Sequence, residues 1–196
     1  MFAVRAVGAA VVLGSLVALA GCAPATPTSS PSAPPVSGPA QQYYCTPDGA
    51  TSGAPCSQEE WEAQVARDKQ YEEAEAIYRR LNAAERELYV AGAEADDTVL
   101  QFVVGEAREV VVDAHAQRPR LVEGDFEIVW VRRTPEVAQE GDALVLTACV
   151  DNTNAMIAVP GEGTGPGATA LERVSFVRDG GVLKIGRFAA KEVVSC

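Results

Sequence analysis

The sequence predicts an α+β fold, in which a long N-terminal helix and a second helix pack on an antiparallel sheet. Three observations predict it. Apolar side chains recur from Trp61 to Leu88, mostly at gaps of three or four, which is helical spacing. Apolar–polar alternation takes over after residue 124. Asp179-Gly180-Gly181 joins two alternating runs, the sequence signature of a tight hairpin.

The first helix opens at Ser57-Gln58-Glu59-Glu60, where Ser57 and Glu60 have capping-box spacing. Trp61, Val65, Tyr71, Ala74, Tyr78, Leu81 and Leu88 form its apolar stripe, and Gly92 ends it. Its length leaves room for a kink near Asn82. A second helix is expected from Asp97 or Thr98 to about Gln117, because Val99, Phe102, Val103, Ala107, Val110, Val111 and Ala114 keep helical spacing and Pro119 stops it. Strands follow at Asp125–Arg133, Asp142–Asn152, Leu171–Arg178 and Val182–Phe188. Phe126, Ile128 and Trp130 share one face of the first of these.

The ends of the chain have a different character. Residues 1–5 carry one charge, Arg5, and residues 6–20 are apolar or small throughout. Fifteen helical residues reach about 22 Å, short of a hydrocarbon core of roughly 30 Å, which describes a signal peptide over residues 1–21. Leu19-Ala20-Gly21-Cys22 resembles the lipobox of bacterial lipoproteins. The resemblance implies a diacylglyceryl group on Cys22 and cleavage before it. Two acyl chains hold a membrane firmly where one does not. Residues 23–42 hold six Pro, six Ser or Thr and no charge, the composition of an extended stalk or of an O-glycosylated one. A short loop between Cys45 and Cys56 completes the segment 22–56, and residues 57–196 form the globular domain.

Setting Cys22 aside leaves Cys45, Cys56, Cys149 and Cys196. An exported chain meets oxidising conditions, so four cysteines suggest two disulfides among three pairings. Cys45–Cys56 and Cys149–Cys196 are favoured because the first pair closes a short loop. With no C-x-x-C and one His, a metal site is not expected, nor is a cofactor.

A long helix, a second helix and a curved antiparallel sheet are similar to the nuclear-transport-factor-2-like, or cystatin-like, cone. Small actinobacterial lipoproteins of that type also resemble this chain in a lipobox, a Pro/Ser/Thr stalk, Tyr78-Arg79-Arg80-Leu81 on a helix, and Ala148-Cys149-Val150-Asp151 on a strand. Cone-fold enzymes hold an acid inside the cone, often beside a Tyr. That implies Asp125, Glu127 and Asp151 as catalytic candidates and Tyr78, Trp130 and Asp151 as possible pocket residues.

Catalytic signals outside the resemblance are weak. His115 is the only histidine, and a His-based site would have to use it. Gly161–Gly167 lacks the Gly-Lys-Ser/Thr and the following helix of a phosphate loop, and reads as a hairpin loop. Cleavage before Cys22 removes one Arg, leaving 15 basic against 27 acidic side chains, a net charge of −12. That balance argues against nucleic acid as a partner. The expected protein is therefore a lipid-anchored extracytoplasmic binding or interaction module on the outer face of the cytoplasmic membrane. Its membrane contact is the anchor, and its partner is a protein, a cell-wall component or a small ligand. No catalytic set is identified. The alternative is a small cone-fold isomerase or hydrolase using Asp151 or Asp125.

Overall fold

A computed structural model describes residues 41–47 and 50–196. The expected signal peptide, Cys22 and residues 23–40 of the stalk lie outside the described residues. So do Asp48 and Gly49, although the Ala50 amide donates to the Pro47 carbonyl across them at 3.0 Å. The α+β class is observed. Among the described residues, no helix is long and apolar enough to cross a membrane.

Helix α1 spans Gln58–Ala91. Ser57 accepts from the Glu60 amide while the Glu60 carboxylate accepts from the Ser57 amide, so two N-terminal donors are satisfied reciprocally. Gly92 ends the helix with φ 62°, a left-handed conformation that suits glycine, and a Cβ there would overlap the Arg120 side chain. Helical structure runs unbroken through Asn82, whose Nδ2 donates to the Tyr78 carbonyl at 3.0 Å.

The expected second helix is two helices. Helix α2 is one turn, Asp97–Leu100, capped by Asp96, and α3 spans Gly105–His115. Between them the backbone leaves the helix and joins the sheet. Val104 donates to the Ile185 carbonyl, and Ile185 donates to the Phe102 carbonyl, each at 2.9 Å. Gly105 takes φ 55°, which turns the chain into α3. A Val-rich run satisfies helical periodicity and strand propensity alike, and here the exposed sheet edge took three of its residues.

The main sheet is antiparallel with order β4 (Glu127–Arg133), β5 (Leu144–Asp151), β8 (Thr169–Asp179), β9 (Val182–Glu192). Asp179 pairs with Val182 across Gly180 and Gly181, both at positive φ, the two-residue hairpin that the sequence signals. A second sheet has order β3 (Arg120–Glu123), β6 (Met156–Val159), β7 (Gly163–Pro166). It places part of the Gly-rich stretch in a strand, with Gly165 opposite Ile157. The chain then enters β8 and no helix, as a hairpin rather than a phosphate loop requires.

A bulge between Ile128 and Trp130 changes the expected facing of β4. Ile128 and Val131 pack against the core, while Trp130 pairs with Cys149 on the other face and carries the Arg132 guanidinium 4.3 Å from its ring centre. The core itself joins Tyr71, Ala74, Ile77, Tyr78, Leu81 and Leu88 of α1 to Val111 of α3 and to Leu146, Val174, Phe176 and Ile185 of the sheet.

Both favoured disulfides are present, with Cα separations of 5.8 Å for Cys45–Cys56 and 5.9 Å for Cys149–Cys196. Strands β5 and β9 run in the same direction on either side of β8, which brings the C-terminal tail back to Cys149. Cys45–Cys56 staples the hairpin β1 (Tyr43–Cys45) and β2 (Ala54–Cys56). That hairpin rests on the start of α1. Tyr43 lies 5.4 Å from Trp61, and the Thr46 amide donates to Gln64. Trp61 thus holds the hairpin instead of entering the core. Residues 41–196 form one compact unit, hairpin included.

Candidate functional site

A half-open cavity of about 160 Å³ lies between α1, α3 and strands β8 and β9, with exposed Val110, Ala114, Ala189 and Ala190 at its rim. Strand register explains it. Glu172 of β8 pairs with Ala148 on one side and Ala190 on the other, so two methyl groups flank a long side chain and leave space beside it. Val110, Val111 and Ala114 supply the helical wall, and Phe188 lines the sheet side. Asn82, Glu85 and Glu172 are its polar groups.

Helix α1 contributes a polar stripe next to its apolar one. Tyr78, Asn82, Glu85 and Tyr89 follow at gaps of four, three and four, which stacks them on one face. The fully buried Tyr78 hydroxyl donates to Glu172 Oε2 at 2.7 Å. Tyr89 stacks 4.7 Å from the His115 ring and meets Phe126 edge-on at 5.1 Å. His115 is 0% exposed, and neither ring nitrogen has a hydrogen-bond partner among the described residues. Its Nε2 lies 3.8 Å from Glu85 Oε1.

This environment moves three proton affinities upward. Burial raises the Glu172 carboxyl above its ordinary value, opposed by the Tyr78 hydrogen bond and assisted by the Glu85 charge. Burial raises the Tyr78 phenol, and the Glu172 carboxylate adds to it. The Tyr89 phenol is pushed up to about 12, by burial first and then by Glu85 and Glu172.

The carboxylates named from the sequence serve elsewhere. Asp125 receives Arg86 Nε at 2.6 Å and Nη2 at 3.2 Å, and that hydrogen bonding holds it below the usual carboxylate range. Asp151 accepts from the Thr153 hydroxyl at 2.7 Å, the Thr153 amide at 3.0 Å and the Thr169 hydroxyl at 3.3 Å, and it too is lowered. It closes the turn after β5. Glu127 is exposed and borders an open groove with Asp125 and Arg86. Of Tyr78, Trp130 and Asp151, Tyr78 reaches the cavity through Glu172, and neither of the others lines it. The structure does not bring the three together. The acid that burial shifts upward is Glu172, which alternation with Val174 and Phe176 places on the inward face of β8, whereas the buried Asp142 side chain is paired with Arg187 at 2.6 Å.

The chain matches no family model, no curated protein and no solved structure. Among the described residues, no three His, Cys, Asp or Glu side chains converge as a metal site.

The raised Glu172 carboxyl has a measurable consequence. The folded state holds this proton more tightly than the unfolded chain, so stability falls as pH rises through the unfolded value and levels off once the folded one is passed. Glu172→Gln keeps an acceptor for Tyr78 and removes the ionisation. The variant's melting temperature relative to wild type is expected to rise between pH 4 and pH 7. A difference that stays flat across that range would show that Glu172 ionises as freely folded as unfolded.

Proposed function

We propose that the protein is a lipid-anchored extracytoplasmic binding module whose ligand compartment is the cavity at Glu172. The cavity carries the reading. It has apolar walls and a few converging polar groups, the usual make-up of a small-ligand site. Its volume is close to that of an enclosed engineered cavity that holds benzene, with one side here open to solvent. Leu19-Ala20-Gly21-Cys22 supports the anchor, and two disulfides fit an oxidising compartment. The resemblance to nuclear-transport-factor-2-like lipoproteins is consistent with a pocket formed by helices over a sheet.

Native purification tests the compartment. Protein taken from its own membranes is expected to release a small molecule on denaturation. The Ala114→Phe/Ala190→Phe variant, with its cavity filled, is expected to lose that molecule. Equal recovery from both would overturn the reading. The anchor has a separate test. Cys22→Ala is expected to leave the protein soluble or as an unprocessed precursor, and membrane fractionation at mature size would overturn the lipid attachment.

The buried acid beside Tyr78 favours a second reading, a small isomerase or hydrolase using a buried carboxylate. In that case the base is Glu172, and Glu172→Gln would retain the small molecule without turning it over.

A further inference from the structure

We propose that this cavity takes a small organic cation, a primary ammonium group carried on an apolar body about the size of benzene. The proposal rests on the cavity being the ligand compartment. Charge is the first argument. Two carboxylates, Glu85 and Glu172, line the space and no Lys or Arg does. Among the described residues, neither acid is paired with a Lys or Arg. Glu172 has the Tyr78 hydroxyl, and Glu85 has His115 Nε2 at 3.8 Å. Partly buried acids without a counter-charge favour a cation and repel an anion.

Hydrogen-bond capacity is the second argument. Tyr78 occupies Glu172 Oε2 and leaves Oε1. Asn82 uses its Nδ2 on the Tyr78 carbonyl and keeps Oδ1 as an acceptor. Glu85 accepts no hydrogen bond from the described residues, which leaves its carboxylate for a ligand. The polar end of the cavity therefore offers three acceptors against one remaining donor, the second N–H of Asn82, because the Tyr78 hydroxyl is already used. An ammonium has three donors and no acceptor. A hydroxyl or an amide would leave part of that capacity unmatched, and a carboxylate would match none of it.

His115 adjoins the same polar end of the cavity. It is fully buried, both ring nitrogens lack partners among the described residues, and its Nε2 lies 3.8 Å from the Glu85 carboxylate that lines the cavity. Buried polar atoms are rarely left so. A cation drawn between Glu85 and Glu172 fixes the Glu85 carboxylate, and a shift of under 1 Å brings it within bonding distance of His115. The walls set the rest of the ligand. Val110, Val111, Ala114 and Phe188 offer only apolar contact, and the volume suits one ring or a short branched chain.

The test uses the whole mature chain, residues 22–196, produced without lipid. It is titrated at pH 7 by calorimetry with benzylamine (a cation at this pH), benzyl alcohol and sodium benzoate. Benzylamine is expected to bind saturably, at least tenfold more tightly than benzyl alcohol, with benzoate giving no saturable signal. Glu172→Gln should weaken benzylamine at least tenfold and benzyl alcohol no more than about twofold, with circular dichroism reporting that the variant is folded. Equal affinity for the amine and the alcohol would overturn the cation and leave the compartment standing. Loss of both ligands in the Ala114→Phe/Ala190→Phe variant places any binding in the cavity. Saturable binding by none of the three probes would overturn the cation, while the compartment itself stands or falls on the small molecule recovered from natively purified protein.

Discussion

Replacing Cys149 and Cys196 together by Ala is expected to lower the unfolding free energy by about 4 kcal/mol. The bond joins residues 47 apart, so its loss restores a long loop's freedom to the unfolded chain. Its geometry in the fold carries little cost, because β5 and β9 run parallel with one strand between them and the tail has only that strand to cross. The fully buried Cys149 makes Ala the right replacement, since a hydroxyl there would have to be buried too. With a denaturant slope of about 2 kcal/mol/M, the urea midpoint should fall by about 2 M. Beyond Val193, whose amide holds the Thr169 carbonyl, the freed tail should become sensitive to protease. Cys45–Cys56 is different in kind. It closes an 11-residue separation in a hairpin at the edge of the fold, and its removal should loosen that hairpin before the core. A loss below about 1 kcal/mol in the Cys149/Cys196 variant would show that the unfolded chain is already confined there by other means.

What could be read in the sequence was local chemistry. Ser57 with Glu60 starts α1 and Gly92 ends it because capping depends on neighbours within one turn. The Gly180-Gly181 turn needs only its own dihedral freedom. Misreadings came where a distant partner decides. Val103 and Val104 look helical until the edge at Ile185 offers them backbone hydrogen bonds. Trp130 keeps the expected alternation, and a single bulge against β5 puts it on the other face. Glu172 was missed for another reason. Its position between Leu171 and Arg173 on an alternating strand assigns it to the face of Val174 and Phe176, but an acid there reads as an exception until Tyr78, 94 residues earlier, is seen to meet it. The stripe Tyr78, Asn82, Glu85, Tyr89 carried the same information at helical spacing, beside the apolar stripe that drew attention first.

Tyr78→Ala is expected to be among the most damaging single changes in the domain, and Tyr78→Phe separates its two causes. The ring is fully buried among core side chains of α1 and the sheet, and its removal alone should cost about 3–5 kcal/mol in lost contact and cavity. Phe keeps the ring and deletes the hydroxyl. Glu172 then loses its one hydrogen bond while staying mostly buried, a penalty of about 1–3 kcal/mol. Domains of this size are stable by about 5–15 kcal/mol, so Tyr78→Ala takes a large share and Tyr78→Phe a modest one. The Tyr78→Phe penalty should depend on pH. Without the hydroxyl, the folded carboxyl is held above its ordinary value by burial with less to oppose it, so the cost grows as pH rises from 4 towards 7. In Tyr78→Phe/Glu172→Gln that growth should vanish, because no ionisable group is left in the pair. A double-mutant cycle by urea unfolding at pH 4 and pH 7 measures both quantities. A Tyr78→Phe penalty that is the same at both pH values, and unchanged by Glu172→Gln, would show that the Tyr78–Glu172 contact carries no energetic coupling and that Tyr78 serves the fold through its ring alone.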